Sequence, residues 1–334
     1  MIKLEGSENE FGWTKIAALY VGEGETGSVR LVRRQRFSVV FDKFIVTKNK
    51  FFIPTDENQD TSTVTEMRLP EDEYPAPTLK PTQNEHPRLM FRQQDISKIK
   101  SNMDEEQNKA SYDMWQNFLN SELDGKLPQP KSGGTNYSSN VINRIEAYAL
   151  DYALNKNEQR GRRAIEAVND YANTVVFDGD SLNYRKRGQI IFTFAEVYDW
   201  CYDILTEDER KHIISQCEVI ATELDMGYPP RGQGAVCGHG GEPNLLRDLL
   251  AFGIAVYDER PDIYNFVAGR ILSEFTETRN YWYAANNHHQ GNSYGAYRGN
   301  CEAWSNYLFY AMSGVKPFSD EQEYFAYEWL YARR

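Results

Sequence analysis

Two successive segments, GQIIFTFAEVYDWCYDIL (residues 188–205) and TEDERKHIISQCEVIATEL (residues 206–224), carry the strongest signal of fold class. The first is apolar over a wide arc at helical spacing, which is typical of a helix that is buried on more than one side. The second begins with Thr206 and Glu209, the spacing of a capping box, in which each side chain bonds a backbone N–H group at the helix start. These features predict two helices joined by a short turn.

The same order of helix, short turn and helix continues along most of the chain. Further segments with helical periodicity cover residues 105–123, 138–156, 157–177, 243–259, 260–285, 293–314 and 320–334. Antiparallel helical hairpins in series can stack as a solenoid or close into a ring. We therefore expect a mainly α fold over residues 81–334.

Residues 1–80 differ from the rest of the chain. Residues 29–54 are rich in Val, Phe and Ile with partial alternation of apolar and polar positions, which is a strand-like pattern. Residues 54–87 are acidic and rich in proline, as linkers are. We expect a small β-rich module and a linker here. At the other end, a helical pattern reaches Arg334 without a stop signal, so we expect the helical domain to be truncated there.

Bulk composition argues against several classes of protein. The 334-residue chain has a formal net charge of −12, which disfavours nonspecific binding to nucleic acid or to a membrane surface. The N-terminus lacks an apolar signal core, so we expect a cytoplasmic protein, or a periplasmic or secreted one if a signal was removed. The cysteines form no CxxC pair, and we expect reduced, mostly buried thiols at Cys201, Cys217, Cys237 and Cys301.

A glycine-rich segment, RGQGAVCGHGGEPNLL (residues 231–246), contains one of the five histidines of the chain. Pro243 suits the first position of a helix, which makes Glu242 the expected N-cap and puts His239 in the loop just before it. Glycines allow the backbone to approach a ligand closely, and helix N-termini attract anions. The alternatives are a structural turn with a capping acid, or a metal site, for which His239 and Glu242 supply only two ligands.

A second segment, NNHHQGNSYGAYRGN (residues 286–300), predicts a helix capped by Asn292 or Ser293. Tyr294 and Arg298 are one helical turn apart and share a face of that helix. An arginine beside a phenol lowers the pKa of the phenol, so that the tyrosine can take a proton as a base and return it as an acid. The alternative is an aromatic core residue next to a surface arginine.

A histidine, a glutamate, a tyrosine and an arginine at helix ends suit the elimination of a uronic acid from a polysaccharide. In this reaction the carboxylate of the substrate must be neutralised, so that the proton on the adjacent carbon becomes acidic. A base takes that proton, and an acid protonates the departing glycosidic oxygen. We therefore expect an acidic polysaccharide or oligosaccharide as the partner, rather than nucleic acid or a membrane.

The two motifs, together with HPRLMF (residues 86–91), resemble the heparinase II/III-like polysaccharide lyases over roughly residues 85–334. In that family a His and a Glu three residues apart, then a Tyr and an Arg four apart, line the cleft of an incomplete (α/α) toroid. The resemblance implies this fold and implies that Tyr294, His239 and Glu242 are catalytic, with Glu242 engaging the uronate carboxylate. The 52 residues from Glu242 to Tyr294 (294 − 242) also fit the family.

The resemblance further implies a set of substrate-binding residues: Arg298, Arg185, His288, His289, Tyr297 and Asn287. Members of the family continue into β-sandwich domains that carry another catalytic histidine and, in some members, a structural zinc. Neither feature has a counterpart in this sequence. The expectation is therefore that no metal and no cofactor is bound within these residues.

Two other functions remain open from the sequence. A glycoside hydrolase on a helical toroid would need two carboxyl groups as acid and base, for which Glu242 and Glu302 are the candidates. A noncatalytic glycan-binding module would bind the same polymer without turnover. An unsaturated product that absorbs ultraviolet light distinguishes a lyase from both.

Overall fold

The computed structural model describes residues 6–7, 10–11, 74–130, 134–177, 183–221, 224, 241–286, 288 and 291–324, with the backbone alone for residues 6–7, 10–11 and 291–298. The chain divides into two units, Met1–Asp72 and Glu73–Arg334. In the first unit, β1 (Gly6–Ser7) and β2 (Glu10–Phe11) form an antiparallel pair. The rest of the predicted β-rich module lies outside the described residues, and the predicted boundary at residue 80 stays a prediction.

The described part of the second unit is built from helices, which confirms the mainly α class predicted for it. These are α1 (Ile96–Met103), α2 (Lys109–Leu119), α3 (Ser139–Asn155), α4 (Glu158–Thr174), α5 (Asn183–Trp200), α6 (Glu207–Ala221), α7 (Leu250–Ala255), α8 (Pro261–Arg270), α9 (Thr276–Tyr283) and α10 (Gly291–Ser313). Two further segments are π-helical: Asn244–Leu249 runs into α7, and Ile271–Phe275 joins α8 to α9. Of the described helices, none is long and apolar enough to cross a membrane.

Local capping explains where several helices begin. The Ser138 side chain accepts a hydrogen bond from the backbone N–H of Val141 at the start of α3. The predicted capping box at α6 is confirmed, because Thr206 N–H donates to Glu209 Oε2 at 2.8 Å and Glu209 N–H donates to Thr206 Oγ1 at 3.2 Å. These side chains satisfy backbone donors that the first helical turn leaves without a partner.

The helices form two layers. In one layer α3, α5, α7 with its preceding π segment, and α10 lie side by side in that order. In the other, α4 packs on α3, α6 packs on α5 and α8 packs on α7, so that successive helices form hairpins. As predicted from its wide apolar arc, α5 is enclosed, and every residue from 190 to 200 is buried. Of the cysteines, Cys201, Cys217 and Cys301 are buried thiols, as expected.

The segment HPRLMF is held on the helices by four polar side chains, His86, Arg88, Asp199 and Asp258, which we call the docking cluster. His86 lies between two carboxylates, with Nδ1 2.7 Å from Asp199 Oδ1 and Nε2 3.1 Å from Asp258 Oδ2. Arg88 Nη2 donates to the same Asp258 oxygen at 3.0 Å. Backbone N–H groups of Arg88 and Leu89 each donate to Asp199 Oδ2 at 2.8 Å. The predicted start of the helical domain is thus fixed to two of its helical hairpins.

Candidate functional site

Glu242 opens the helix that becomes the π segment Asn244–Leu249. Glu242 and Pro243 both have helical conformation, and the N–H of Asn244 donates to the carbonyl of Gly241 at 2.9 Å. The helix therefore begins one residue earlier than predicted, which corrects the expectation that Glu242 is the N-cap. Such shifts are common because helix ends are set by single hydrogen bonds. π-Helical turns are rare and are frequently found at functional sites.

The Glu242 carboxylate is enclosed by protein, with a relative exposure of 0 %. Arg279, from α9, donates from Nη2 to Glu242 Oε1 at 3.1 Å. This position differs from the predicted one on an open cleft, and the physical reason is the arginine: a carboxylate can be buried when a cation and a hydrogen bond compensate its lost hydration. The predicted contact between Glu242 and a uronate stays a prediction.

Arg279 also binds a second carboxylate, that of Glu302 on α10. Its Nε donates to Glu302 Oε1, while the Tyr283 hydroxyl donates to Glu302 Oε2. His288 Nε2 lies 3.3 Å from Glu302 Oε1. Every one of these side chains has a relative exposure of 1 % or less. We call Glu242, Arg279, Tyr283, His288 and Glu302 the buried cluster.

The electrostatics of the buried cluster centre on Glu302. Burial raises the pKa of Glu302 to about 7, from an ordinary value of 4.5. Arg279 opposes this rise by its charge and its hydrogen bond, and the nearby Glu242 carboxylate adds to it. The carboxyl group therefore changes charge near neutral pH, which is typical of groups at functional sites although ion-pair networks do it too.

Arg185 and Glu242 both lie within electrostatic reach of one buried thiol. Burial raises the pKa of Cys301 to about 12. The charge of Arg247 opposes this rise and the charge of Asp248 adds to it. More weakly, Glu242 also raises the pKa and Arg185 lowers it. Arg185 is exposed in the first turn of α5, with its guanidinium 5.5 Å from the ring centre of Tyr184. The predicted contact between Arg185 and a substrate stays a prediction.

A second polar group lies along the π segment and was not recognised from the sequence. Arg247 donates from Nε to Asp248 Oδ1 at 2.7 Å and from Nη2 to Gln189 Oε1 at 3.1 Å. Facing it from α3 and α5 are Glu146 and Glu196, and burial raises the pKa of each. The sequence did contain a signal for this group, namely the adjacent charges of Arg247 and Asp248 inside the apolar run NLLRDLL. Charged residues in a buried helix need partners, so this pair indicates a buried polar group.

The remaining predicted residues divide between described and undescribed parts of the chain. Tyr294, Tyr297 and Arg298 lie in the first turns of α10, where the backbone is described. His288 is buried against Glu302 rather than placed on a cleft. His239, His289 and Asn287 lie outside the described residues. Their predicted contacts, and those of the three α10 side chains, stay predictions.

Within the described ranges, no group of three or more His, Cys, Asp or Glu side chains is arranged to hold a metal ion. Comparison with protein-family models gives no match, and comparison with curated protein sequences gives none either. Function is therefore inferred from the two motifs and from the contacts of the described residues.

Proposed function

We propose that the chain is the helical domain of a polysaccharide lyase that cleaves uronic-acid-containing glycans of the heparin and heparan sulfate type by β-elimination. One observation carries the proposal. The two motifs that a lyase site would require, separated by 52 residues (294 − 242), are joined through Arg279, which binds Glu242 of the first motif and Glu302 on the helix of the second. The residues predicted to share a site are thus on elements in direct contact.

In this proposal the helical hairpins belong to an incomplete (α/α) toroid. The layer of α3, α5, α7 and α10 forms its inner wall, and α4, α6 and α8 form its outer wall. In this wall the π segment Asn244–Leu249 contacts both α5 and α10. The substrate cleft of this proposal would be lined by the first turns of α5 and α10.

The chemistry assigned to the site has three parts. Tyr294 takes the proton from the carbon next to the uronate carboxylate and then protonates the leaving oxygen, or shares these tasks with His239 on the other side of the sugar. Arg298 and the exposed Arg185 bind the anionic groups of the polymer. Glu242 is enclosed and paired with Arg279, and in this conformation the pair holds in place the helix start that directly follows the GHGG segment.

The burial of the carboxyl pair favours elimination over hydrolysis. A glycoside hydrolase needs two carboxyl groups on either side of the sugar, with room between them for the scissile bond. Glu242 and Glu302 are both 0 % exposed, and the guanidinium of Arg279 lies between them. This pair could not flank a sugar without losing the arginine.

The decisive experiment is an assay of ultraviolet-absorbing product on a panel of acidic glycans, with the full-length protein. We expect unsaturated uronate from at least one of them. Tyr294→Phe should lower kcat by about a hundred- to ten-thousand-fold with little change in substrate affinity, because it removes only the proton-transfer group. Tyr310→Phe, at an exposed position farther along the same helix, is the matched control and should leave kcat unchanged. New reducing ends without ultraviolet absorbance would indicate a hydrolase, and binding without turnover would indicate a binding module.

A further inference from the structure

The buried cluster connects the elements that carry the two motifs. Glu242 stands at the start of the helix that follows the GHGG segment, and Glu302 is one turn beyond Arg298 on α10. Arg279 donates to both from Nε and Nη2, which lie on one edge of the guanidinium. A displacement of either helix would therefore break one of these two hydrogen bonds.

The surroundings of Glu302 favour a bound proton. Among the described residues, the titratable groups that face Glu302 are Arg279 and Tyr283 on α9, His288, and Glu242. Burial and the neighbouring Glu242 carboxylate raise the pKa of Glu302, and the charge and hydrogen bond of Arg279 offset only part of this rise.

We propose that Arg279 and Glu302 are positioning residues, and that a proton on Glu302 keeps the link between the two motif-bearing helices neutral and rigid. This inference rests on the function proposed above and adds the regulation of the same site by pH. Neither residue contacts the substrate; each acts through Glu242 and the backbone of α10. When Glu302 ionises, the enclosed excess charge weakens the link and the catalytic groups lose their alignment.

The direction of the pH effect follows from Glu302. In the unfolded chain this carboxyl group ionises near the ordinary value of 4.5, whereas in the folded protein burial raises its pKa to about 7. Between these values the folded state holds a proton that the unfolded state has lost. Its contribution to stability is fully present below pH 4.5 and is lost as the pH rises through about 7.

The test compares the full-length wild-type protein with Glu302→Gln, which keeps the shape of the side chain and fixes its charge at zero. Unfolding by urea from pH 5 to 8.5 should show a fall in wild-type stability from pH 5 up to about pH 7, levelling off above it, that the variant lacks. The kcat ratio of variant to wild type should rise by up to about tenfold from pH 6 to pH 8, because the protonated fraction of Glu302 falls by that factor. Taking the ratio removes the ionisation of other catalytic groups.

The control is Glu166→Gln on α4, where the side chain is 64 % exposed and the loss of one charge is the same. This control should leave both pH profiles unchanged. If Glu302→Gln changes the stability profile but leaves the kcat ratio flat, the cluster titrates without positioning the site, and the proposal is wrong. A stability profile identical to that of wild type would also overturn it.

Amide hydrogen exchange separates this inference from the proposed function. At pH 8, peptides from residues 241–249 and 299–313 should both exchange more slowly in Glu302→Gln than in wild type, and peptides from α4 should not change. If the wild type forms no unsaturated product from any glycan, the lyase proposal fails, yet coupled protection of both segments would still support the link. Unchanged exchange in either segment would refute it.

Discussion

Apart from Tyr283, the docking cluster and the buried cluster contain the same four ionisable groups: one histidine, one arginine and two carboxylic acids. In the docking cluster the histidine lies between the carboxylates, and backbone N–H groups donate to both Asp199 and Asp258. In the buried cluster the arginine lies between the carboxylates, and His288 contacts one of them at 3.3 Å. The two clusters thus differ in geometry rather than in composition.

This geometry has opposite effects on the carboxyl groups. Burial acts to raise the pKa of Asp258, but the N–H of Asn84, the charge of Arg88 and the hydrogen bond of His86 outweigh it, and the pKa is lowered. Burial raises the pKa of Glu302 to about 7 in spite of Arg279. Hydrogen bonds from a backbone N–H group and from neighbouring side chains favour the charged form of Asp258, whereas Arg279 offsets only part of the effect of burial on Glu302. We therefore expect the docking cluster to be structural and the buried cluster to respond to pH.

The largest effect should come from Arg279→Met. It removes the cation from two fully buried carboxylates, and breaking a buried ion pair from one side costs about 3–5 kcal/mol. Urea unfolding at pH 7 measures this loss, and adding Glu302→Gln to the variant should restore part of it, because one of the two buried charges is then gone. Arg163→Met, which breaks a partly exposed pair with Glu166, should cost under about 1 kcal/mol. Equal losses in the two variants would contradict the assigned burial of Arg279.

The next largest effect should come from Asp199→Asn in the docking cluster. The amide keeps an acceptor for the backbone N–H groups of Arg88 and Leu89 but loses the charge that His86 meets at 2.7 Å. Loss of a hydrogen bond to a charged group costs about 1.5–3 kcal/mol. Because this cluster is predicted to be structural, kcat measured well below the unfolding temperature should not change. A fall in kcat at full folding would place the docking cluster in the functional machinery.

The contrast between the clusters also explains how much the sequence could predict. Helix positions and caps were predictable because they depend on residues within one or two turns, such as Thr206 and Glu209. The enclosure of α5 followed from its apolar arc. The stacking of α3, α5, α7 and α10 was left open, since hairpins with the same local pattern can stack in different ways.

The buried cluster was predictable only in part. Glu242 and His288 were singled out for their motifs and Glu302 as a candidate carboxyl group of a hydrolase, but Arg279 lies in TETRNYWY, where nothing distinguishes it from a surface arginine. Its partners are 37 and 23 residues away, so its burial depends on how α9 and α10 pack. The cleft expected at Glu242 came from the family resemblance of two short motifs, and local motifs contain no information about an arginine that packs against Glu242 from another helix.

A smaller effect, confined to acid, should follow Asp258→Asn. Because the folded pKa of Asp258 lies below its ordinary value of 3.8, its contribution to stability is present above that value and is lost as the pH falls through the folded pKa. The difference in unfolding free energy between wild type and variant should therefore be constant from pH 5 to 8 and shrink below about pH 4. The corresponding difference for Glu302→Gln should change between pH 5 and 8 instead. Identical profiles for the two variants would remove the contrast between the clusters.

The smallest effect is expected from Glu196→Gln. This variant tests whether the burial of a carboxyl group is sufficient for a pH response of the site. Burial raises the pKa of Glu196 well above its ordinary value, and among the described residues its Oε2 has no hydrogen-bond partner. Below the ordinary value of 4.5 the carboxyl group is protonated in both the folded and the unfolded state, so the substitution replaces one neutral group by another and stability should change by less than about 1 kcal/mol. Wild type should then lose stability relative to the variant as the pH rises above that ordinary value, because the folded state keeps a proton that the unfolded chain has lost.

The kcat ratio of Glu196→Gln to wild type should nevertheless stay flat from pH 6 to 8. The charges that act on Glu196 are those of Glu146, Arg247 and Asp199. Ionisation of Glu196 should therefore leave the hydrogen bonds of Arg279 unchanged. A rise like the one expected for Glu302→Gln would mean that any buried carboxyl of the inner helices controls the site. In that case the arginine shared between Glu242 and Glu302 would not be the cause of the pH response.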